Sequence, residues 1–155
     1  MSPALKNLTV EEARARMLDG AASLGVESVA LPAAVGRVLA QDIVADRHQP
    51  PFDASAMDGW AIRRADHGVV EAFTIAGESA AGRAYPRAVQ AGQAVRIFTG
   101  APVPAGADLV IIQEEAVRDG DRVTFSAGDN PKSNIRPAGG DFRSGERLLD
   151  AGVRI

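Results

Sequence analysis

Cysteine is absent from this 155-residue sequence, which excludes disulfides, thiolate metal sites and cysteine nucleophiles at once. Histidine is nearly absent: His48 and His67 are the only two, and neither has a partner at ligand spacing, so ordinary turn or surface roles are expected for both. Aromatic residues make up 5% of the chain, which leaves valine, isoleucine, leucine and alanine to build the core. A basic excess is lacking as well, and the net charge of −3 argues against a general nucleic-acid or acidic-membrane surface. No run approaches the roughly 20 apolar residues that span a bilayer. The N-terminus carries no charged region followed by an apolar run, so a soluble, cytoplasmic protein is expected, without nucleic-acid or membrane partners.

What is present is globular in proportion, 46% hydrophobic and 24% charged, with length for one ordinary domain or two small ones. A mainly β (α+β) chain is expected: a helical leader at 1–45, with 143–155 joining it in space, and a β-rich body at 46–142. In the leader, Thr9 and Glu12 have the spacing of a capping box. Val10, Ala13, Met17, Ala21 and Leu24 then recur at helical spacing, with Gly25 as the stop and Gly20 as a weak point. The face is narrow and alanine-rich, suited to packing on a partner surface. Leu31–Arg37 suits a short helical turn opened by Pro32, and Val38–Ala45 drifts toward strand.

Beyond residue 50, glycine and proline recur every several residues, the punctuation of many short strands. The spacing predicts strands at Trp60–Arg63, Ala72–Ala76, Ala94–Phe98, Leu109–Gln113 and Arg122–Phe125. Asp119-Gly120 is the strongest hairpin signal, joining a strand that ends at Val117 to one that begins near Asp121. The run from Gly139 to Gly145 is neither a P-loop nor a dinucleotide fingerprint, because no Gly-Lys-Ser/Thr follows it and no buried strand precedes it.

The stretch that organises the chain is Pro50-Pro51-Phe52-Asp53-Ala54-Ser55-Ala56-Met57-Asp58-Gly59. Two prolines make its approach extended and irregular, and Asp58-Gly59 reads as a tight turn feeding a strand. Two carboxylates, a hydroxyl and a thioether in ten residues suit a recognition loop. Together with Phe98-Thr99-Gly100-Ala101-Pro102-Val103-Pro104, Val110-Ile111-Ile112-Gln113-Glu114-Glu115 and Asn134-Ile135-Arg136-Pro137-Ala138-Gly139-Gly140-Asp141, in that order, it resembles the N-terminal portion of the molybdopterin molybdenumtransferase family. Trp60 stands where tyrosine is commoner in the family. Gly140 stands where the family normally has glutamate, so any role of that glutamate is absent or supplied elsewhere.

The resemblance implies an activity: insertion of molybdate into adenylylated molybdopterin with release of AMP, in molybdenum cofactor synthesis. Such a reaction brings an oxyanion to an anionic pterin phosphate and needs Mg²⁺ and cationic side chains against the repulsion. It implies Asp58, Thr99 and Asp141 as catalytic residues, with Asp58 the candidate magnesium ligand, and Ser55, Gly100, Arg136 and Glu115 as substrate contacts. From the residues alone, Asp58 can as well close its own Asp-Gly turn, and Asp53 and Ser55 can shape the loop. Thr99-Gly100 can offer a hydroxyl and a free amide to an oxyanion, or be a proline-shaped turn. Strand alternation would send Glu114 and Glu115 to opposite faces. Arg136 can hold phosphate bidentately or form an ion pair with Asp141 within its loop.

The resemblance also implies a homodimer whose site is completed by a C-terminal α/β domain beyond these residues, and a molybdopterin adenylyltransferase as pathway partner. The fragment is then expected to be inactive alone. The alternatives are a non-catalytic dimerisation or scaffold module, and a free-standing molybdate- or pterin-binding protein.

Overall fold

The computed structural model describes residues 8–126 and 132–155. The stretches of the expected leader and body at 1–7 and 127–131 lie outside them. The chain divides into two units, one running up to Gln41 and including Ala151–Ile155, the other Asp42–Asp150.

In the first unit, helix α1 spans Val10–Met17. The capping box forms as expected: the Thr9 hydroxyl accepts from Glu12 N at 3.2 Å and Thr9 N donates to Glu12 Oε2 at 2.9 Å. The helix does not continue to Leu24. It ends after Met17, Gly20 having turned left-handed at φ 81°. No residue of α1 is buried, so no packing opposes the glycine, and backbone preference alone decides the end. A single 3₁₀ turn, Leu31–Ala33, carries Pro32 at its second position, as the residue type favours. The strand expected over Val38–Ala45 is mostly loop: Val38 makes one bridge to Arg154, with Leu39 N bonded to Val153 O at 2.8 Å.

The second unit is the β-rich body. Strands β1 (Ile43–Val44) and β10 (Arg147–Leu149) pair antiparallel, as do β2 (Ala54–Ser55) and β9 (Ile135–Arg136). The remaining strands form a six-stranded sheet in the order β6-β3-β5-β4-β8-β7. These are β3 (Gly59–Ile62), β4 (Phe73–Ser79), β5 (Gln93–Ile97), β6 (Leu109–Ile112), β7 (Ala116–Asp119) and β8 (Arg122–Phe125). β8 has the expected bounds, and the others shift by one to three residues. The β7–β8 hairpin turns on Gly120 and Asp121, with Asp119 still paired to Arg122. Gly120, at φ 59°, takes the first central position of that turn, where a left-handed residue is wanted.

Both sheet faces are covered, and side-chain alternation sorts the core into two clusters. Trp60, Ile62, Phe73, Ala94, Leu109, Ile111 and Val123 form one; Ala61, Val89, Val95, Ile97, Ala101 and Val110 form the other. Each large aliphatic or aromatic side chain so buried contributes about 1.5–3 kcal/mol. β3 is therefore an interior strand, wholly buried, flanked by β5 and by the edge strand β6. Its first residue follows Asp58, so the organising loop is bolted to a buried interior strand of the sheet.

Candidate functional site

The expectation of an irregular loop at 50–59 is corrected at Ala54–Ser55, which borrow backbone partners on both edges. On one edge they pair with Arg136 and Ile135, and Ala56 N donates to Asn134 O at 2.9 Å. On the other, Ser55 N donates to Ala101 O at 2.9 Å, and Gly100 N donates to Ser55 O at 2.8 Å. Asp53 adds two ties: its carbonyl accepts from Val103 N, and its Oδ1 accepts from Ala138 N, both at 2.8 Å. The 110–115 stretch joins through Gln113 N, which donates to Asp58 O at 3.0 Å. All four stretches singled out in the sequence thus meet at this loop.

Asp58 does not close its own turn. Its Oδ1 accepts from Thr99 N at 2.7 Å and from Thr99 Oγ1 at 2.8 Å, while Oδ2 has no hydrogen-bond partner among the described residues. The Thr99 amide, then its hydroxyl, and at longer range the Arg96 guanidinium stabilise the carboxylate and hold its pKa below the ordinary 3.8; desolvation opposes them more weakly than the Thr99 bonds. What results is an ionised carboxyl, oriented on one oxygen and open on the other.

A pH dependence follows. The folded pKa is depressed, so the stability Asp58 contributes is complete above 3.8 and is lost as pH falls through the lower, folded value. Asp58→Asn should therefore narrow its stability gap from the parent only below about pH 4, with the gap constant from there to neutrality. Urea midpoints across the acid range check this, and a gap that closes around neutrality would contradict it.

The Thr99-Gly100 pair offers no free amide, since both N–H groups are engaged by Asp58 and Ser55. Gly100 has φ 79°, and nothing lies within 4 Å of where a Cβ would stand. Ser55 is buried, and its hydroxyl donates to Met57 O at 2.6 Å within the loop. Across β2 from Thr99, Arg136 NH2 meets both Asp141 oxygens, at 2.7 and 2.8 Å. The two side chains are about half exposed, so the pair is worth roughly 0–1 kcal/mol. A Cβ at Gly140 would lie 3.0 Å from Pro137 O, so a side chain there needs the loop to give slightly.

Glu114 and Glu115 are not strand residues. They lie with Gln113 on a 3₁₀ turn, both exposed, so alternation does not separate them. β6 ends at Ile112, and the turn that begins at Gln113 breaks the period on which that expectation rested. Among the described residues no three His, Asp or Glu side chains gather closely enough to hold a metal ion by themselves. The open Asp58 Oδ2 is one suitable hard-oxygen donor for Mg²⁺, which commonly takes one or two carboxylates and completes its shell with substrate phosphates and water.

Arg96 was not singled out from the sequence. Its NH1 donates to Gly59 O at 2.8 Å and to Ile97 O at 3.3 Å, and its NH2 to Gln113 Oε1 at 2.8 Å. The guanidinium lies 4.5 Å from the Phe98 ring centroid and 5.7 Å from that of Trp60. The available signal was a lone charge inside the apolar strand Ala94-Val95-Arg96-Ile97, next to Phe98.

The rim of the β body thus carries one aspartate oriented by a threonine, at the point where four loop stretches meet. Residues 8–155 match the family described as the MoeA N-terminal region (domain I and II), and the chain belongs to that family. It is similar to the molybdopterin molybdenumtransferase of Haemophilus influenzae, 37% identical over 150 residues that cover 96% of this chain and 37% of that protein. The molybdopterin molybdenumtransferase of Staphylococcus aureus (strain Mu50) is 33% identical over 153 residues, covering 96% of this chain and 36% of its own length. Among solved structures, a molybdopterin biosynthesis MoeA protein from Pyrococcus horikoshii OT3 superposes with a TM-score of 0.74 at 39% identity, covering 81% of this chain and 34% of that one. A second Pyrococcus horikoshii MoeA structure gives a TM-score of 0.80 at 27% identity, over 96% of this chain and 40% of that one. The chain thus spans a little over a third of the length of the curated relatives.

Proposed function

We propose that this chain supplies one part of a composite molybdenumtransferase site, which inserts molybdate into adenylylated molybdopterin and releases AMP. The observation that carries the reading is the Asp58 carboxylate, ionised and turned by Thr99 so that Oδ2 stays open. Asp58 is the catalytic carboxylate, holding Mg²⁺ or a substrate donor through that oxygen, and Thr99 fixes its direction. Mg²⁺, when bound, offsets the charge of the pterin and adenylyl phosphates. Arg136 reaches substrate oxyanions when Asp141 yields the guanidinium, and Asp141 then takes a substrate donor or the cation. Gly100 leaves room for a ligand against the backbone. Glu115 and the loop around Ser55 complete the rim.

The nucleotide and the rest of the pterin fall to an α/β domain beyond these residues, facing this rim from the second subunit of a homodimer. The adenylylated substrate comes from a molybdopterin adenylyltransferase, in the cytoplasm. The test is AMP release on mixing adenylyl-molybdopterin, molybdate and Mg²⁺ with the full-length protein and, separately, with residues 1–155. Turnover by the former and none by the latter is expected. AMP release by the short chain alone would overturn the composite-site reading.

One set of observations favours a second reading, a scaffold without chemistry. The Thr99 and Gly100 amides, the Ser55 hydroxyl and the Arg136–Asp141 pair are all satisfied internally. On that reading the loops serve to lock the rim, and Asp58 Oδ2 is left without a hydrogen-bond partner among the described residues.

A further inference from the structure

Asp58 and Thr99 stand just beyond the ends of two paired strands. Gly59 opens β3 and Ile97 closes β5, and the two are register partners. Beyond those points the sheet no longer fixes the distance between the chains, yet the Asp58–Thr99 bonds need it fixed to a few tenths of an ångström. Arg96 sits at that junction. One terminal nitrogen bridges the carbonyls of Gly59 and Ile97, one on each strand. The other reaches Gln113, whose backbone N–H holds the carbonyl of Asp58 itself. The guanidinium plane is flanked by Phe98 and Trp60, the residues next after Ile97 and Gly59.

Neither of these nitrogens touches a carboxylate, and Arg96 takes part in no ion pair among the described residues. An arginine used only for charge would be matched by an acid. Here the neutral acceptors and ring contacts match the rigid fork, which a lysine ammonium on a flexible stem cannot reproduce.

We propose that Arg96 is a positioning residue, a clip across the ends of β3 and β5 that sets Asp58 and Thr99 at bonding distance without touching substrate. The importance of that geometry rests on the reading of Asp58 as a site carboxylate, but the clip can be tested without catalysis. Amide hydrogen exchange on residues 1–155 compares Thr99 N–H, bonded to Asp58, with Thr74 N–H, bonded to Gly92 O elsewhere in the sheet. Arg96→Gln should speed exchange at Thr99 about tenfold while leaving Thr74 within about twofold. Arg96→Lys, which keeps the charge, should fail to restore Thr99 protection.

Equal acceleration at both amides would make Arg96 a general stabiliser and overturn the proposal, as would unchanged Thr99 exchange. Full rescue by lysine would overturn the fork argument and with it the clip. Should the arginine variants not fold, Gln113→Leu removes one acceptor and leaves Arg96 in the sheet; faster exchange confined to Thr99 then supports the clip, and no change refutes it. Failure of the transferase reading would leave all of these outcomes as they stand.

Discussion

Gly59→Ala is expected to lower the melting midpoint by roughly 10 °C, the consequence of about 3 kcal/mol or more of destabilisation in a chain of this size. A Cβ on Gly59 would stand 1.9 Å from the carbonyl oxygen of Ile111 and 2.9 Å from its carbon. Both atoms are backbone, so no rotamer change relieves the clash, and one strand must move. Gly59 pairs with Ile112 on one side and Ile97 on the other, so movement breaks a ladder along one edge or the other of a buried interior strand. It also shifts the residue that precedes it, Asp58. Thermal denaturation beside Gly68→Ala is the check. Gly68 has a left-handed backbone but nothing within 4 Å of a Cβ, so its alanine variant isolates the backbone penalty of about 1–2 kcal/mol. If the two variants melt together, close approach is not what requires glycine at position 59.

The second large effect is expected from Asp58→Asn in the full-length protein: molybdenum insertion lower by about 10²–10³-fold with an unchanged oligomeric state. Asparagine keeps an Oδ1 able to accept both Thr99 hydrogen bonds, so the loop geometry survives the exchange. What disappears is the charge, and the open oxygen becomes an NH₂ donor that repels a cation. Molybdenum incorporation and AMP release measure the chemistry, and light scattering measures the assembly. Under the scaffold reading the ranking reverses, with assembly weakened and chemistry per assembled molecule retained. That second pattern would remove Asp58 from the reacting groups.

Much of the architecture was legible because it is written locally. The capping box of Thr9 and Glu12, the turn at Gly120 and the alternation in Arg122–Phe125 each rest on neighbours in sequence, and each is present. The early end of α1 was harder to see: with no buried face, a single left-handed glycine at position 20 outweighs the apolar spacing that continues to Leu24. The strand expected to run through Gln113 stops at Ile112 because Gln113–Glu115 turn into 3₁₀ geometry beside Asp58.

The candidate site was legible as a set of stretches and not as a geometry. Asp58 and Thr99 are 41 positions apart, so neither periodicity nor turn chemistry could join them. Similar separations hid the engagement of the Thr99 amide by Asp58 and of the Gly100 amide by Ser55, which leaves neither amide free for an oxyanion. Arg96 escaped notice because its acceptors are two backbone carbonyls and Gln113, and only folded strand ends bring those together. Arg136 and Asp141 were close enough in sequence for their pairing to be weighed beforehand.

The tie between Asp53 and Ala138 joins positions 85 residues apart. During synthesis the aspartate-bearing loop therefore leaves the ribosome well before one of its two flanking strands exists, by about 8 s at a typical rate of about 10 residues per second. Through that interval Ala54 and Ser55 have an unmatched backbone edge, open to mispairing with other nascent segments. A translational pause placed between these two positions would prolong the exposure, whereas a pause after Asp141 would give the rim time to close.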